Sequence, residues 1–440
     1  MIINSTVERE NKGENENKGE NDDVRKKCDN RVRALFIMIH RNYAAHYYGA
    51  IVVIAIGFLS NVPVKAQPTD TVRSSVRDSI SKVANDSVLK STRDSLSKSG
   101  FAGAPYVQYA PETGWAGGLV GFYYFHLSSD TLSSDSGSLR ALPSDISGGT
   151  MYAQKHQFFI GILYDLYVRH DYHFSGGFHY EQYPLDFYGV GNYSPAKRID
   201  NYTPLKRGTD FIFTKNLSRS PTGEGLNAGI EGEFRYDGIL KSDSGGLIAN
   251  DQEPGARGGN SNGLGAIVLY DSRDNIYSTH AGQYEDLEAE FYGRALGSNF
   301  TFSRYTLDLR RFIPLAKDQT LAAQFYAQLV NGDEPFYEMG GLGGDSKLRG
   351  YYLLRFREND AMLLQAEYRF PIWWRFGGVV FAGGGEVGHV VSDFTARGIH
   401  PSAGLGLRFL VVPEEHLNVR IDYGIGTDAS ALYLSILEAF

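Results

Sequence analysis

The run Ala431-Leu-Tyr-Leu-Ser-Ile-Leu-Glu-Ala-Phe440 constrains this chain more than any other segment, because it alternates along its length and finishes on an aromatic residue. Leu432, Leu434, Ile436 and Phe440 fall on one face and Tyr433, Ser435 and Ala439 on the other, the period of a strand with lipid on one side and a lumen on the other. A closed barrel has no free edge, so a final strand of this kind has to pair with the first, and its last ring is expected at a membrane interface. Tyr433, Leu434, Ile436 and Phe440 are therefore read as the closing-strand signal.

Such a chain needs export, and residues 1–66 read as an N-terminal extension and signal peptide. The run from Gly49 to Leu59 is apolar, Arg41 precedes it, and Val64-Lys65-Ala66 places small residues where a signal peptidase reads. This core falls far short of the roughly 20 apolar residues of a spanning helix. Translation is expected to start at Met38 and cleavage to follow Ala66, and Gln67 rather than Cys at the next position argues against a lipoprotein. Upstream, Glu10-Asn-Lys-Gly-Glu14 and Glu16-Asn-Lys-Gly-Glu20 form a polar low-complexity repeat that cannot bury a core. The only Cys, Cys28, precedes the cleavage point, so the exported chain is expected to carry no thiol. Residues 67–100 read as a Ser/Asp-rich periplasmic linker in which Arg77-Asp-Ser-Ile-Ser-Lys82 recurs as Arg93-Asp-Ser-Leu-Ser-Lys98, too short for a folded domain.

From Phe101 to Phe440 the pattern is strand, turn, strand. The 51 Gly, 29 Tyr and 26 Phe suit tight turns and aromatic girdles, and a net charge of -8 gives no basic footprint for nucleic acid. Leu417, Val419, Ile421, Tyr423 and Ile425 alternate with Asn418, Arg420, Asp422 and Gly424. Glu231, Glu233, Arg235 and Asp237 alternate with Ile230, Gly232, Phe234 and Tyr236, while Glu288, Glu290, Tyr292 and Arg294 share a face opposite Leu287 and Phe291. Charges of both signs on one face mean a polar lumen. The count predicts an all-β, 16-stranded antiparallel transmembrane β-barrel in the bacterial outer membrane, with a first strand at 104–110, others at 264–276 and 284–296, and a last strand at 431–440. An even count puts both barrel ends of the chain on one side, expected to be the periplasm, with short turns there and longer loops outside.

The run Gly340-Gly-Leu-Gly-Gly-Asp-Ser-Lys-Leu-Arg-Gly-Tyr351, then Gln365-Ala-Glu-Tyr-Arg-Phe-Pro371, Phe381-Ala-Gly-Gly-Gly385 and Ala403-Gly-Leu-Gly-Leu-Arg408, resembles the closing third of BamA/TamA-type outer-membrane assembly barrels, the bacterial surface antigen domain. Tyr109-Ala-Pro-Glu-Thr-Gly114 is similar to that family's first hairpin, and Phe187-Tyr-Gly-Val-Gly-Asn192 to a loop of its shorter members. The resemblance implies a long loop folded back into the lumen, its tip Arg349-Gly350-Tyr351 docking on Glu367, which parity also places inside. Arg suits this because its planar fork fixes position as well as charge. Two departures stand out. Phe381, Gly383 and Gly385 are the strand-motif residues, but Gly383 occupies the place of the family's second acidic partner, so Arg349 is expected to have one anchor. The POTRA modules that receive clients are not expected either, since residues 67–100 are too short to stand in for even one.

Other motifs fail on context. Gly383-Gly-Gly-Glu-Val-Gly388 is not followed by a helix opening, and Gly343-Gly-Asp-Ser-Lys347 is no P-loop. His170, Asp171 and His173 flank a turn, and Asp271, Arg273 and Asp274 read as turn caps rather than a catalytic pair. No enzyme, cofactor or metal is expected. The expected function is insertion or translocation of proteins across or into the outer membrane through a lateral seam between first and last strands, where a client strand pairs with an exposed edge. Its partners would be outer-membrane lipid, unfolded outer-membrane or secreted clients, and periplasmic or lipoprotein subunits. The alternative is a passive outer-membrane channel or structural barrel without a client.

Overall fold

The computed structural model describes residues 99–440 apart from 126, 128–130, 135–136, 141–143, 169–170, 219–223 and 414–415. The extension, signal and most of the linker, with Cys28, Met38 and Ala66, lie outside the described residues, as does His170. Sixteen strands follow in chain order: β1 Gly100–Ala110, β2 Gly114–Phe125, β3 Ser144–Ala153, β4 Phe158–Val168, β5 Tyr172–Gln182, β6 Asp200–Asn216, β7 Gly225–Ser242 and β8 Gly259–Asp271 in the first half. The second half holds β9 Gly282–Tyr292, β10 Thr301–Ala316, β11 Gln319–Asp333, β12 Asp360–Trp373, β13 Phe376–Gly388, β14 His400–Val412, β15 Leu417–Gly426 and β16 Ser430–Ile436. Each pairs antiparallel with the next, and β1 meets β16 where Tyr109 stands opposite Leu434, which closes the barrel. Among the described residues no helix is long and apolar enough to cross a membrane.

Alternation determines both surfaces. Leu119, Leu287, Leu364, Leu405, Ile421 and Ile425 are exposed on the outside, while Glu231, Arg235, Asp237, Glu288, Arg304 and Asp422 are buried within. An apolar exterior around a charged interior is the reverse of a soluble sandwich and fits a barrel in lipid. The end of the barrel holding Gly100 and Ile436 is called proximal here, and the other end distal. Distal connections include 183–199, 243–258 and the longest, 334–359, which carries its own small hairpin of Gly340–Leu342 against Phe356–Glu358. Proximal turns are short at 317–318 and 374–375. The expected pattern of short proximal turns and longer distal loops holds only in part: 126–143, which contains the pair Thr131–Ser134 and Gly137–Arg140, and 272–281 are long proximal connections, while the distal connections 111–113, 154–157 and 427–429 are tight.

Several expected boundaries move. β1 begins at Gly100, not 104, and its ladder with β2 runs through Pro105, which stands opposite Leu119. Pro has no amide to donate, yet it is tolerated because the other side of β1 at that level has no ladder partner among the described residues. β8 covers 259–271 rather than 264–276, and β9 stops at Tyr292, so Arg294 leaves the lumen face for an exposed 3-10 turn. The largest correction concerns the end of the chain. β16 stops at Ile436 because Leu437 is left-handed (φ 65°), although its amide still reaches the Asn418 carbonyl in the register of β15. Phe440 is consequently 8% exposed, packed with Phe312, Ala322 and Ala439 inside the wall, rather than at a lipid interface. Ile436 and Leu417, both expected to face lipid, are fully buried in a cluster with Tyr277 and Leu437.

Candidate functional site: a lumen loop and a one-pair seam

Loop 334–359 enters the lumen and is held at two points. At its tip, Arg349 Nη2 donates to Glu367 Oε2 at 2.7 Å and Nη1 to Asp422 Oδ2 at 2.8 Å, with all three side chains 0% exposed. The guanidinium also lies 3.6 Å from the centre of the Phe381 ring. The expectation of a single anchor is thus corrected: Asp422 on β15 supplies the second carboxylate that β13 lacks. Gly383 cannot carry it, because a Cβ there would come within 2.7 Å of Gln365 Cβ and 2.9 Å of the Leu364 oxygen. Gly385 leaves room in the same way for Leu342 of the loop. Gly350 (φ 110°) lets the loop backbone touch β15 at Gly424, and its amide donates to the Tyr433 hydroxyl at 3.1 Å. That hydroxyl in turn donates to the Tyr351 carbonyl at 2.8 Å, so the closing strand and the loop tip are in direct contact. The Tyr351 hydroxyl donates to the Pro401 oxygen at 2.9 Å.

The second hold was not anticipated and reverses the charges. Glu338 on the ingoing limb accepts Arg304 Nη1 at 2.8 Å through Oε2 and binds Arg235 through Oε1. Arg304 is further fixed by Glu290, whose Oε2 accepts its Nε at 2.7 Å, and Arg235 by Asp237 at 2.7 Å. Parity placed Arg235 inside without naming a partner, and a lumenal arginine facing a loop that carries Glu338 was the signal available. The loop motif Phe187–Asn192 also finds a place. Phe187 packs edge-on against Phe336 at 5.4 Å, Gly191 donates its amide to the Arg357 carbonyl at 2.7 Å, and Asn192 Nδ2 donates to Gly398 at 2.9 Å. These contacts cover the return limb of the loop at the distal end.

The remaining sequence candidates are accounted for by local structure. Arg273 Nε and Nη2 bond Asp271 at 3.0 and 2.7 Å, and Asp274 Oδ1 accepts the amides of His280 and Ala281, which caps the 272–281 connection. His173 is not simply exposed: it bonds Asp165 at 2.8 Å and stacks on Tyr167. Gly383–Gly388 lies within β13, and Gly343–Lys347 within the loop.

The seam is the barrel's weakest closure. Tyr109 opposite Leu434 is its one registered pair, whereas β15 and β16, the next shortest ladder, share seven. Leu434 therefore sits on the seam, between Tyr433 and Ser435, which face the lumen. Beside it, the turn after β1 places Glu112 against the loop: burial pushes its carboxyl up to about 7, Asp345 adds to this, and its own backbone and Lys155 oppose it.

A family model described as the Omp85 superfamily domain matches residues 152–428. Among solved structures the chain is similar to BamA from Haemophilus ducreyi lacking POTRA domains 1-3, at 12% identity and a TM-score of 0.53, over 77% of this chain and 70% of that one. It also matches CdiB from Acinetobacter baumannii (12% identity, TM-score 0.49, 77% and 59% covered) and from Escherichia coli (15%, 0.47, 76% and 62%), so it spans less than two thirds of either CdiB. No curated protein sequence matches it. With the family model covering more than half of its length, the chain belongs to the Omp85 superfamily, as an outer-membrane β-barrel protein.

Proposed function

We propose that this barrel inserts or translocates polypeptides through the seam between β1 and β16, as superfamily members handle protein clients. The observation that carries the reading is the single registered pair at that seam. A ladder of one pair costs little to open, and the freed β1 edge offers amides and carbonyls to an incoming strand. The loop weighs against a passive axial channel, since its tip, held by Arg349, and its ingoing limb, held by Glu338, occupy the lumen. Clients would be unfolded outer-membrane or secreted chains. Both barrel ends of the chain would face the periplasm, where a signal peptide and linker at 1–66 and 67–100 would deliver them and where periplasmic or lipoprotein subunits would dock.

The seam register places Gln108 opposite Ser435, both buried on the lumen face. A disulfide between Gln108→Cys and Ser435→Cys, in a Cys28→Ser background, locks the seam if its geometry is met. The locked protein is expected to reach the outer membrane, fail to complement a deletion, and recover on reduction. Full complementation by the locked form would leave the passive channel or structural barrel as the better reading.

A further inference from the structure

The carboxylates that hold the loop tip also hold, through two more arginines, the segment that follows the last strand. Glu367 binds Arg349 through Oε2 and accepts Arg369 Nε on Oε1 at 2.7 Å, and Arg369 Nη2 donates to the Phe440 oxygen at 3.0 Å. Asp422 binds Arg349 through Oδ2 and Arg408 through Oδ1, and Arg408 Nε donates to Glu438 Oε2 at 2.7 Å. None of the side chains from Arg349 to Arg369 and Glu438 on these two paths is more than 7% exposed. Water therefore screens them little.

The backbone of the same segment is held off its natural course. Leu437 is left-handed, an uncommon state for a residue with a bulky side chain, and it marks where β16 breaks. Were the strand to continue in the register set by Tyr109 and Leu434, residues 437–440 would lie opposite 106–103, with Ala439 facing Ala104. That side of β1 has no ladder partner there among the described residues.

We propose that seating of the loop and withdrawal of residues 437–440 from the seam are one coupled transition. With Arg349 between them, Glu367 gives one oxygen to the loop and one to Arg369, while Asp422 gives Oδ1 to Arg408 and shares Oδ2 between Arg349 and Arg420, which leaves Arg369 and Arg408 with donors to spare for Phe440 and Glu438. Without Arg349, Glu367 Oε2 is freed and Asp422 Oδ2 keeps only Arg420, so Arg369 turns onto Glu367 as a bidentate fork, Arg408 is drawn further onto Asp422, and the segment is released to extend β16 along β1. A seated loop thus keeps the proximal edge of β1 open, and a displaced loop lets the seam zip. Any bearing on client handling rests on the function proposed above, whereas the coupling itself does not.

The test uses the full chain in lipid vesicles, with Cys28→Ser and the pair Ala104→Cys and Ala439→Cys, whose disulfide forms only when the strand extends. Oxidation is expected to be slow when Arg349 is present and faster by about 5- to 150-fold with Arg349→Ala. In an Arg369→Gln/Arg408→Gln background the segment keeps the Asn418 bond to Glu438 and the packing of Phe440 on Phe312 but neither arginine, so oxidation should be faster than in the native network and should no longer respond to Arg349→Ala. Arg349→Lys, which keeps a charge that reaches one carboxylate only, is expected to give an intermediate rate and serves if Arg349→Ala does not fold. An Arg349 substitution that leaves the rate unchanged overturns the proposal, as does fast oxidation with the native network intact. No client or cell enters this measurement, so its failure and the failure of the seam-lock complementation are read separately.

Discussion

The wall around the seam and the wall across the lumen from it are built on different physics. β1, β2, β3 and β16 have 7 to 12 residues, and their distal connections, 111–113, 154–157 and 427–429, are tight. Their lumen face is mainly apolar, with Tyr106, Ala116, Phe122, Met151 and Ala153 buried in one cluster. Across the lumen β6, β7, β10 and β11 have 15 to 18 residues, and β7, β9 and β10 present Glu233, Arg235, Asp237, Glu290 and Arg304, which grip the ingoing limb of the loop through Glu338. Long ladders and bidentate ion pairs are directional and resist sliding. Apolar packing has no preferred direction, so it fills space yet allows strands to shift. The difference assigns rigidity to the far wall and freedom to the seam.

The largest expected effect breaks the rigid side. Arg304→Ala leaves Glu290 and Glu338 buried with fewer partners, and loss of one member of a buried network costs about 3 to 5 kcal/mol. Arg349→Ala belongs at the lower end of that range, because Arg369, Arg408 and Arg420 still face Glu367 and Asp422. Heat-modifiability on gels should show both variants unfolding earlier, and planar-bilayer conductance should rise for Arg349→Ala. If Arg304→Ala unfolds with the native protein, the far wall is not held by charge.

Next in size is the lipid face. Arg at Ile421, exposed on the outside, should cost roughly 2 to 4 kcal/mol near the midplane, whereas Arg at Asn418, on the alternate face near Glu438, should be tolerated. Equal losses at the two positions in a urea titration of the barrel in vesicles would overturn the alternation that both walls share.

Sequence made the barrel legible because lipid and lumen impose a period of two that no turn chemistry can hide. Glu231, Glu233, Arg235 and Asp237, and likewise Arg420 and Asp422, face inward as their parity predicts. What parity cannot tell is which inward charges meet. Glu338 and Arg235 are 103 positions apart, and Arg349 and Asp422 are 73, so their pairing depends on where a loop re-enters the lumen. Strand ends were misplaced for a related reason. Phe440 keeps the parity of Leu434 and Ile436, but Leu437 and Glu438 fall on the wrong faces for it, and Arg369 and Arg408 offer partners inside to Phe440 and Glu438.

A smaller effect should appear at the seam turn, and it depends on pH. Burial holds the Glu112 carboxyl up at about 7, with Asp345 adding to the shift. The folded state therefore binds this proton more tightly than the unfolded chain. Its contribution is complete below the ordinary carboxylate range, declines as pH rises toward 7, and is lost above it. One such group changes stability by at most about 1.4 kcal/mol per pH unit. Melting followed between pH 5 and 8 should show a decline that Glu112→Gln flattens, while Glu233→Gln on the far wall should not flatten it.

The smallest effect is the most telling about the seam. Gln108 is 6% exposed on β1, its Nε2 meets Met151 Sδ at 3.2 Å, and its Oε1 has no hydrogen-bond partner among the described residues. Burying an unsatisfied amide oxygen costs stability, so replacing it by an apolar side chain of similar size removes a penalty and a weak contact together. Gln108→Leu is thus expected to shift unfolding by less than about 1 kcal/mol, in either direction. Its surroundings, Tyr106, Ala116 and Met151, would accept another apolar group. A loss as large as that of Arg304→Ala would mean that polar contacts fix the seam as firmly as they fix the far wall, and the contrast between a sliding side and a rigid side would have to be given up.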